Sequence, residues 1–445
     1  MKKTLAILFL WLCLNAVADP GWSGTWLGHL TVNGQSIRIL FNLVPASEGW
    51  KGTMDSPDQL AGSLPLSQVE VHGRDARLAL AISDLHYVGT LAEDGSHASG
   101  TLTQNGKSVH VDLVRSDPLT APTRPQDPRG PFPYEERPVV IPGPGGNQLA
   151  GTLTVPRDHR PAPAVLLIAG SGPHDRDETI FGHHPFWVLA DRLSRDGWAV
   201  LRVDKRGCGH STGDYQSATT HDFAADALAE YRFLLSQPDV DSHHVGLIGH
   251  SEGGMIAPLV ASHDQTVSFV VLMAGPGVPL DQLMLKQQDA LMRAENVPAA
   301  LRQDRLARYR RWYDVIKASK SREAAHRALL KAYPIDQAEI EQVVTPWFYD
   351  FVRYDPAPAL RDTQCPILAL DGTLDLQVDA DMNLKGIADT LTAAHHKNFK
   401  IEKLPGLNHL FQTATTGDVS EYGKLQETLS PVFLSKIETW MDSLR

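Results

Sequence analysis

The chain has 445 residues, of which 42% are hydrophobic, and its formal net charge is −11. This length predicts one large domain and a smaller one, and the hydrophobic content is sufficient for a buried core, which argues against a disordered chain. The negative charge argues against nucleic acid or an anionic membrane as a partner, leaves small neutral molecules as candidate substrates, and says nothing of the oligomeric state.

The first residues, MKKTLAILFLWLCLNAVA, have the layout of a secretory signal peptide. A basic start is followed by an apolar run, and small residues stand at Ala16 and Ala18. We therefore predict a signal peptide over 1–18, a mature chain that begins near Asp19, and a periplasmic or secreted protein. The residues before Cys13 are too large for a lipoprotein signal, and no later apolar run reaches the roughly 20 residues of a membrane helix.

Residues 19–115 contain many short alternating runs, such as SIRILFNL, ARLALAI and SVHVDLV, separated by Gly, Asp-Gly and Asn-Gly turns. This pattern predicts a small antiparallel β domain, either a barrel or a sandwich. The domain has no convergent set of catalytic residue types. Residues 116–137 have a proline every few positions, which predicts a stiff, extended linker.

Residues 138–445 alternate continuous apolar strands with amphipathic helices, which predicts an α/β domain with a mostly parallel sheet covered on both faces. After SFVVLMAG the alternation stops, and residues 280–353 are helical by composition and periodicity. It resumes with CPILALDG. A helical insertion so late in a parallel sheet is typical of a lid over the carboxyl ends of the strands, where ligands of such sheets bind.

The stretch GHSEGG places Ser251 between an apolar strand, HVGLI, and a helix-compatible run, MIAPLVAS. A strained strand-to-helix turn would expose the serine hydroxyl, and side chains at Gly249 and Gly253 would clash with the neighbouring strand and helix. The backbone N–H of Glu252, at the start of the helix, would face a developing oxyanion. The pattern also occurs by chance, so a serine nucleophile requires a histidine and a carboxylate elsewhere in the chain.

Both partners are predicted in loops that follow later strands. Asp375 lies in DGTLDLQV, just past one strand, and His409 lies in LPGLNHLFQ, past the next. Asp371 is an alternative carboxylate, but it stands at the end of the strand itself and not in the loop that follows. The adjacent histidines at 395–396 are alternatives to His409, but their polar helix end favours a solvated position.

The order Ser, Asp, His, each at the carboxyl end of a strand, resembles the α/β-hydrolase superfamily over residues 138–445. The segments GSGPHDRDE, DKRGCGHSTG, GHSEGG, DGTLDLQV and LPGLNHLFQ together resemble secreted or periplasmic bacterial serine carboxylesterases that carry a small N-terminal β domain. Such proteins are often grouped with prolyl-oligopeptidase-like or serine-aminopeptidase-like hydrolases. The resemblance implies a serine hydrolase that cleaves small-molecule carboxylic esters without a cofactor. A peptidase with the same triad, or a binding protein with an inert hydrolase fold, are the alternatives.

The second oxyanion donor is expected in the loop IAGSGPHDRDE. The superfamily commonly has His-Gly before the donating residue, whereas this chain has Ala169 and Gly170. The backbone chemistry is unchanged, so we assign the N–H of Ser171 as the donor, with Gly172 as the alternative. The charged run that follows, 175–178, is expected to pair with Lys205 or Arg206 of DKRGCGHSTG, although contact with substrate is the other interpretation.

Metal and disulfide chemistry have little support. The histidine pairs 183–184 and 243–244 lack a nearby pattern of cysteine or carboxylate ligands, so we predict no metal site. Cys208 and Cys365 remain after removal of the signal peptide, which is too few for a disulfide framework. A single bridge between them stays open, but two separate thiols are favoured.

Overall fold

The structure, a computed structural model, describes residues 21–444 apart from 33–34, 47–48, 57–60, 81–83, 105, 117–123 and 159. The predicted signal peptide therefore lies outside the described residues, as does part of the predicted linker. The chain divides into two units, Met1–Thr120 and Ala121–Arg445.

Alternating apolar residues form the strands of the first unit. In its described part these are β1 (Gly24–Val32), β2 (Gln35–Pro45), β3 (Trp50–Ser56), β4 (Ala61–Pro65), β5 (Gln68–His72), β6 (Asp75–Leu80), β7 (Leu85–Leu91), β8 (His97–Gln104) and β9 (Lys107–Ser116). They form one antiparallel sheet in the order β4-β3-β2-β1-β9-β8-β7-β6-β5. This confirms the predicted all-β fold.

The connection between β4 and β5 curls the sheet into a barrel-like shape. The N–H of Leu66 donates to Gly52 in β3, and the N–H of Ser67 donates to Ala79 in β6. Because β3 and β6 lie near opposite ends of the strand order, these bonds bring the two ends together, which covers the sheet edges. The enclosed core contains large buried side chains, among them Trp22, Trp26, Phe41 and Tyr87.

The second unit contains a mostly parallel sheet. Its described strands are β10 (Tyr134–Pro142), β11 (Gln148–Pro156), β12 (Ala162–Ile168), β13 (Ala199–Val203), β14 (Val240–His250), β15 (Val270–Met273), β16 (Ile367–Gly372) and β17 (Phe399–Leu404). The order is β10-β11-β13-β12-β14-β15-β16-β17, with antiparallel pairing at β10/β11 and β11/β13 and parallel pairing beyond. This confirms the predicted α/β class. The first strand begins at Tyr134, inside the predicted linker.

Helices cover both faces of this sheet. Those described are α1 (Pro185–Arg195), α2 (Thr220–Leu235), α3 (Glu252–His263), α4 (Leu280–Ala294), α5 (Ala299–Ala318), α6 (Arg322–Ala332), α7 (Gln337–Val343), α8 (Pro346–Phe351), α9 (Ala357–Asp362), α10 (Ala380–Ala393), α11 (Val419–Tyr422) and α12 (Pro431–Asp442). Alternate residues of β12 belong to different cores: Leu166 packs with α2, α3 and α10, whereas Leu167 packs with α1 and α12. Among the described helices, none is long and apolar enough to cross a membrane.

The predicted helical insertion is present as α4 to α8. It has a core of its own, which includes the buried side chains of Trp312, Ile316, Leu329 and Val344. Trp347 in α8 packs against this core and against both cores of the sheet. The side chain of Trp347 therefore joins the insertion to the sheet, and its Nε1 donates a hydrogen bond to Glu252, the residue after Ser251.

Candidate active site

Ser251 occupies a strained turn. β14 ends at His250, α3 begins at Glu252, and the serine between them has φ 53° and ψ −115°. A non-glycine residue in this region costs on the order of 1–3 kcal/mol and persists only where the surrounding structure imposes it. The N–H of Ser251 is anchored by a 2.8 Å hydrogen bond to the carbonyl of Met273, at the end of β15. The half-buried serine thus stands at the carboxyl ends of the central strands.

Close backbone packing explains the two motif glycines. A Cβ atom on Gly253 would lie 2.0 Å from the carbonyl oxygen of Ile168, at the end of β12. A Cβ atom on Gly249 would lie 2.0 Å from the carbonyl oxygen of Gly253. Both distances are far below van der Waals contact, so only glycine allows α3 to begin directly against the sheet.

Asp375 and His409 form a buried pair. Asp375 follows β16 and His409 follows β17; the side chains meet with 2.6 Å between His409 Nδ1 and Asp375 Oδ2, and both residues are buried. The other carboxylate oxygen accepts the backbone N–H groups of Gln377, at 2.7 Å, and Val378, at 2.8 Å. An ionised carboxylate only accepts hydrogen bonds, so Nδ1 carries the proton and Nε2 is left as the basic nitrogen.

The serine and the histidine are brought into the same neighbourhood by His250. Its Nε2 lies 3.0 Å from the carbonyl oxygen of His409, and the two imidazole rings are 4.9 Å apart at their centroids. Within the described residues the hydroxyl of Ser251 makes no hydrogen bond to His409. Catalytic hydrogen bonds of this kind are often long or misaligned until substrate binds.

The alternative partners lie in different settings. Asp371 is fully buried, and burial together with the negative charge of Asp375 raises its pKa well above the ordinary value. Its Oδ1 accepts the N–H of Gly372 at 2.7 Å. His396 hydrogen-bonds the carbonyl of Cys365, which precedes β16 and so lies at the opposite end of that strand from Asp375.

The loop of residues 169–172, called here the oxyanion loop, lies beside Ser251. A Cβ atom on Gly170 would be 3.2 Å from Cβ of Ser251. The N–H of Gly170 donates to Glu178 Oε1 at 2.7 Å, and its carbonyl accepts from Lys205 Nζ at 2.6 Å. Buried charges of opposite sign therefore hold Gly170 from both sides.

The two candidate donors in this loop differ in their surroundings. Ser171 is exposed, and its carbonyl accepts from His174 Nε2 at 2.9 Å. The carbonyl of Gly172 accepts the N–H of His174 at 3.0 Å, and Gly172 has a φ of 115°. The assignment of the N–H of Ser171 as the donor, with Gly172 as the alternative, stays a prediction.

Glu252 contributes more than a backbone N–H. Its side chain is 1% exposed and accepts three hydrogen bonds, from Thr220 Oγ1 at 2.7 Å, Trp347 Nε1 at 2.7 Å and Lys205 Nζ at 3.1 Å. Trp347 comes from the helical insertion, so the insertion touches the residue that follows the serine. The backbone N–H of Glu252 is at the first position of α3, where helices favour an anion.

A second histidine–carboxylate pair lies under the site. Glu178 Oε1 and His250 Nδ1 are 2.9 Å apart, and both residues are buried. Burial disfavours both charges, but each charge favours the other, so the pKa of Glu178 is lowered and that of His250 is raised. The pair joins the oxyanion loop, the serine turn and the His409 loop.

The charged run at 175–178 is paired, but not with the residues expected from the sequence. Arg176 binds Asp204, with 2.7 Å between Nη2 and Oδ2, and Asp177 binds Arg202. Lys205 and Arg206 instead pair with Glu252 and Asp226. The expectation failed because Glu252 and Asp226 are buried carboxylates, and each of them would be costly without the buried cation that it contacts.

Sequence reasoning missed His250 and Trp347 as parts of the site, and it named Glu178 and Lys205 only as members of the charged run and its expected partners. One signal was available: Glu252 opens an otherwise apolar helix, EGGMIAPLVAS, and a carboxylate in such a helix needs a buried cation as a partner.

The sequence offers histidines and cysteines as candidates for metal binding or a disulfide bridge. Within the residues that the structure describes, no three His, Cys, Asp or Glu side chains cluster as metal ligands. His183 lies against Thr428 and the carbonyl of Tyr422. Cys208 and Cys365 are free thiols, and burial raises the pKa of each to about 12.

Comparisons with known proteins agree with this architecture. A model described as the alpha/beta hydrolase family matches residues 165–419. Esterase EstD of Thermotoga maritima is 30% identical over 283 residues, which are 62% of this chain and 60% of that protein. The chain therefore matches about 60% of the length of this relative.

Two solved structures are similar at low identity. An esterase of Pyrococcus furiosus has a TM-score of 0.44 at 16% identity, over 73% of this chain and 96% of that one. A hypothetical protein from Pseudomonas aeruginosa has a TM-score of 0.45 at 18% identity, over 73% and 98%.

Proposed function

The chain belongs to the alpha/beta hydrolase family, whose model matches residues 165–419, and we propose that it hydrolyses carboxylic esters of small to medium acyl chains. The observation that carries the proposal is the buried His409–Asp375 pair, with 2.6 Å between Nδ1 and Oδ2, near the strained turn at Ser251. The match to a protein named an esterase, which is 30% identical, favours esters within the family.

In the proposed mechanism, Ser251 Oγ attacks the ester carbonyl carbon while its proton passes to His409 Nε2. Asp375 holds the imidazole and stabilises the imidazolium that forms. The N–H groups of Ser171 and Glu252 bind the oxyanion of the tetrahedral intermediate. His409 then gives its proton to the leaving alcohol, and the acyl group remains on the serine.

The second half of the reaction reverses these roles. His409 takes a proton from water, the resulting hydroxide attacks the acyl carbon, and the proton returns to Ser251 Oγ as the carboxylic acid leaves. Nothing in this sequence of steps requires a metal or a redox group.

A peptidase on the same residues is the second candidate. Recognition of a charged peptide terminus would need a free carboxylate group facing the substrate. Of the acidic residues of the insertion, Asp281 is paired with Lys317 at 2.7 Å through Oδ2, and Glu295 and Glu341 are exposed. Glu252, next to the serine, is paired with Lys205 and accepts two further hydrogen bonds. These contacts favour an ester substrate.

The test is hydrolysis of a short-acyl p-nitrophenyl ester beside an aminoacyl p-nitroanilide, with wild type, Ser251→Ala and Ser262→Ala. Ser262, at the far end of α3, is a matched control that lacks the strained turn. We expect ester turnover that vanishes only in Ser251→Ala, with no anilide turnover. Anilide turnover of comparable efficiency would support a peptidase, and ester turnover that survives Ser251→Ala would exclude this nucleophile. A wild type without any turnover would support an inert, ligand-binding protein.

We also propose that the chain is exported by its first 18 residues to the periplasm or medium. The basic and apolar runs of MKKTLAILFLWLCLNAVA support this, although they lie outside the described residues. N-terminal sequencing of the protein purified from its native host is expected to start near Asp19. A product that retains Met1 in the cytoplasm would contradict export.

A further inference from the structure

We infer that Lys205 is a positioning residue of the oxyanion hole: its buried ion pair with Glu252 fixes the orientation of the peptide that joins Gly170 to Ser171. This inference rests on the proposed function, because it assigns a purpose to the Ser171 N–H. It concerns a residue that does not touch the substrate but acts through the backbone that does.

Lys205 is a buried cation with a defined set of contacts. Its side chain is 8% exposed, and Nζ lies 2.6 Å from the carbonyl oxygen of Gly170 and 3.1 Å from Glu252 Oε2. The ammonium also lies 4.3 Å from the centroid of the Phe223 ring, which adds a cation–π contact. A buried ammonium group is costly unless such partners compensate its charge. Moving Lys205 away from these partners would therefore be unfavourable, which keeps its side chain in this position.

Peptide geometry transmits this position to the Ser171 N–H. The peptide between Gly170 and Ser171 is trans, since the cis bonds among the described residues are those preceding Pro131 and Pro161. In a planar trans peptide the carbonyl and the N–H point in opposite directions. Lys205 takes the carbonyl on the buried side, so the N–H of Ser171 is turned toward the accessible side.

The neighbouring peptide is fixed independently. The N–H of Gly170 donates to Glu178 Oε1 at 2.7 Å, and Glu178 is itself held by His250 at 2.9 Å. Rotating the peptide so that the Ser171 N–H points away would break the hydrogen bond from Lys205 to the Gly170 carbonyl. It would also strain the hydrogen bond from the Gly170 N–H to Glu178. A glycine at 170 has no side chain to hold its conformation, which makes these two anchors necessary.

One ion pair consequently serves both oxyanion donors. Glu252 supplies the second backbone N–H, and its side chain compensates the lysine that orients the first. Trp347 Nε1 in α8 donates to Glu252 Oε1 at 2.7 Å, so the insertion is connected to the same pair. The arrangement meets the geometric need of an oxyanion hole, where donors must be aligned before the charge develops.

The chain contains a matched control at the next residue. Arg206 is also buried and forms a close ion pair with Asp226, with 2.6 Å between Nε and Oδ2. Its hydrogen bonds go to Asp226 and to the carbonyl of Asp222, away from the oxyanion loop. Loss of the Arg206 cation should reduce the stability of the fold without changing the orientation of the Ser171 N–H.

The experiment compares wild type, Lys205→Met, Arg206→Met and Ser251→Ala on a short-acyl p-nitrophenyl ester. For Lys205→Met we expect kcat to fall about 10- to 100-fold with KM changed less than about threefold, because the oxyanion exists only beyond the ground state. Inhibition by an alkyl trifluoromethyl ketone, which forms an oxyanion on the serine, should weaken by a similar factor. Arg206→Met should keep kcat within about twofold.

Lys205→Met leaves the Glu252 carboxylate buried without its cation, so the double variant Lys205→Met with Glu252→Gln is tested beside it. The double variant removes the uncompensated charge and should be better folded, yet show the same loss of kcat and of ketone inhibition. Wild-type values in either lysine variant, or equal losses in Arg206→Met, would overturn the inference. Absence of ester turnover in wild type would instead overturn the proposed function.

Discussion

The two units bury different kinds of residue. In the described part of the N-terminal sheet, Thr25 and Ser56 are the buried polar residues, and the rest of the core is apolar. At the carboxyl ends of the parallel strands, by contrast, ionisable groups are buried together; they include Glu178, Asp204, Lys205, His250, Glu252, Asp371, Asp375 and His409.

This difference has a physical cost that only one unit bears. A buried charge is expensive unless a partner compensates it, and apolar replacement of buried ion pairs is often neutral or stabilising. The N-terminal sheet keeps its ion pairs at the surface, as in Arg74–Glu93 with side chains 50% and 90% exposed. Concentrated buried charge beside a strained serine therefore indicates a site shaped for chemistry rather than for stability.

The largest expected effect is a difference in kcat between variants of two neighbouring carboxyl groups of that site, Asp375 and Asp371. Asp375→Asn should lower kcat about 10³- to 10⁴-fold, because the amide cannot hold His409 in the tautomer that leaves Nε2 basic. Asp371→Asn should keep kcat near the wild-type value, since burial and the charge of Asp375 raise the pKa of Asp371 and the neutral amide resembles the protonated acid. Steady-state kinetics on a p-nitrophenyl ester at pH 7 measures both. A larger loss in Asp371→Asn would exchange the roles of the two residues.

The next comparison sets a glycine of the serine turn against a glycine of the N-terminal sheet. Gly253→Ala places Cβ 2.0 Å from the carbonyl oxygen of Ile168, so we expect a loss of about 3 kcal/mol or more in unfolding free energy. Gly73→Ala meets no atom within 4 Å, but its φ of +60° is unfavourable for alanine, at a cost of about 1 kcal/mol. Urea denaturation measures both changes. Similar losses would mean that contact with Ile168 is relieved by movement of α3.

Local patterns predicted the fold because they depend on neighbours in the chain. The period of two in runs such as ARLALAI produced β6, and continuous apolar runs produced the parallel strands. The same reasoning located Asp375 and His409 in loops after β16 and β17, and their contact followed from parallel strands ending at one edge. Their catalytic roles stay predictions.

Other parts of the site could not be predicted because they depend on residues far apart in the chain. Lys205 and Glu252 are 47 residues apart and belong to different strand ends, while Trp347 is 95 residues beyond Glu252. Which buried cation meets which buried anion is decided by the order of strands in the sheet. The sequence indicated that charges were present but not how they pair.

The pH dependence of stability tests Glu230, a buried acid in the second unit for which no ion pair is found among the described residues. Burial, with a contribution from Asp226, raises the pKa of Glu230 in α2 from 4.5 to about 8. Because the folded state binds the proton more tightly, its stabilising effect is complete below about pH 4.5 and is lost as the pH rises toward 8. Glu230→Gln should therefore match wild type at pH 4.5 and exceed its unfolding free energy by a few kcal/mol at pH 9.

Thermal unfolding of both proteins between pH 4.5 and 9 measures this difference. A gap between the two that stays constant over this range would show that Glu230 is ionised when folded, as a surface acid would be.

The smallest effects are expected in the N-terminal sheet, where the same substitution is made on its two faces. Val88 in β7 is 52% exposed, and Val88→Thr should change the unfolding free energy by less than about 0.5 kcal/mol. Val111 in β9 is 2% exposed, and Val111→Thr buries a hydroxyl among apolar side chains, which should cost about 1–3 kcal/mol. Urea denaturation measures the two changes, and ester hydrolysis should be unaltered in Val88→Thr. A large loss of activity in Val88→Thr without a loss of stability would contradict this prediction. It would mean that the exposed face of the N-terminal sheet contributes to catalysis.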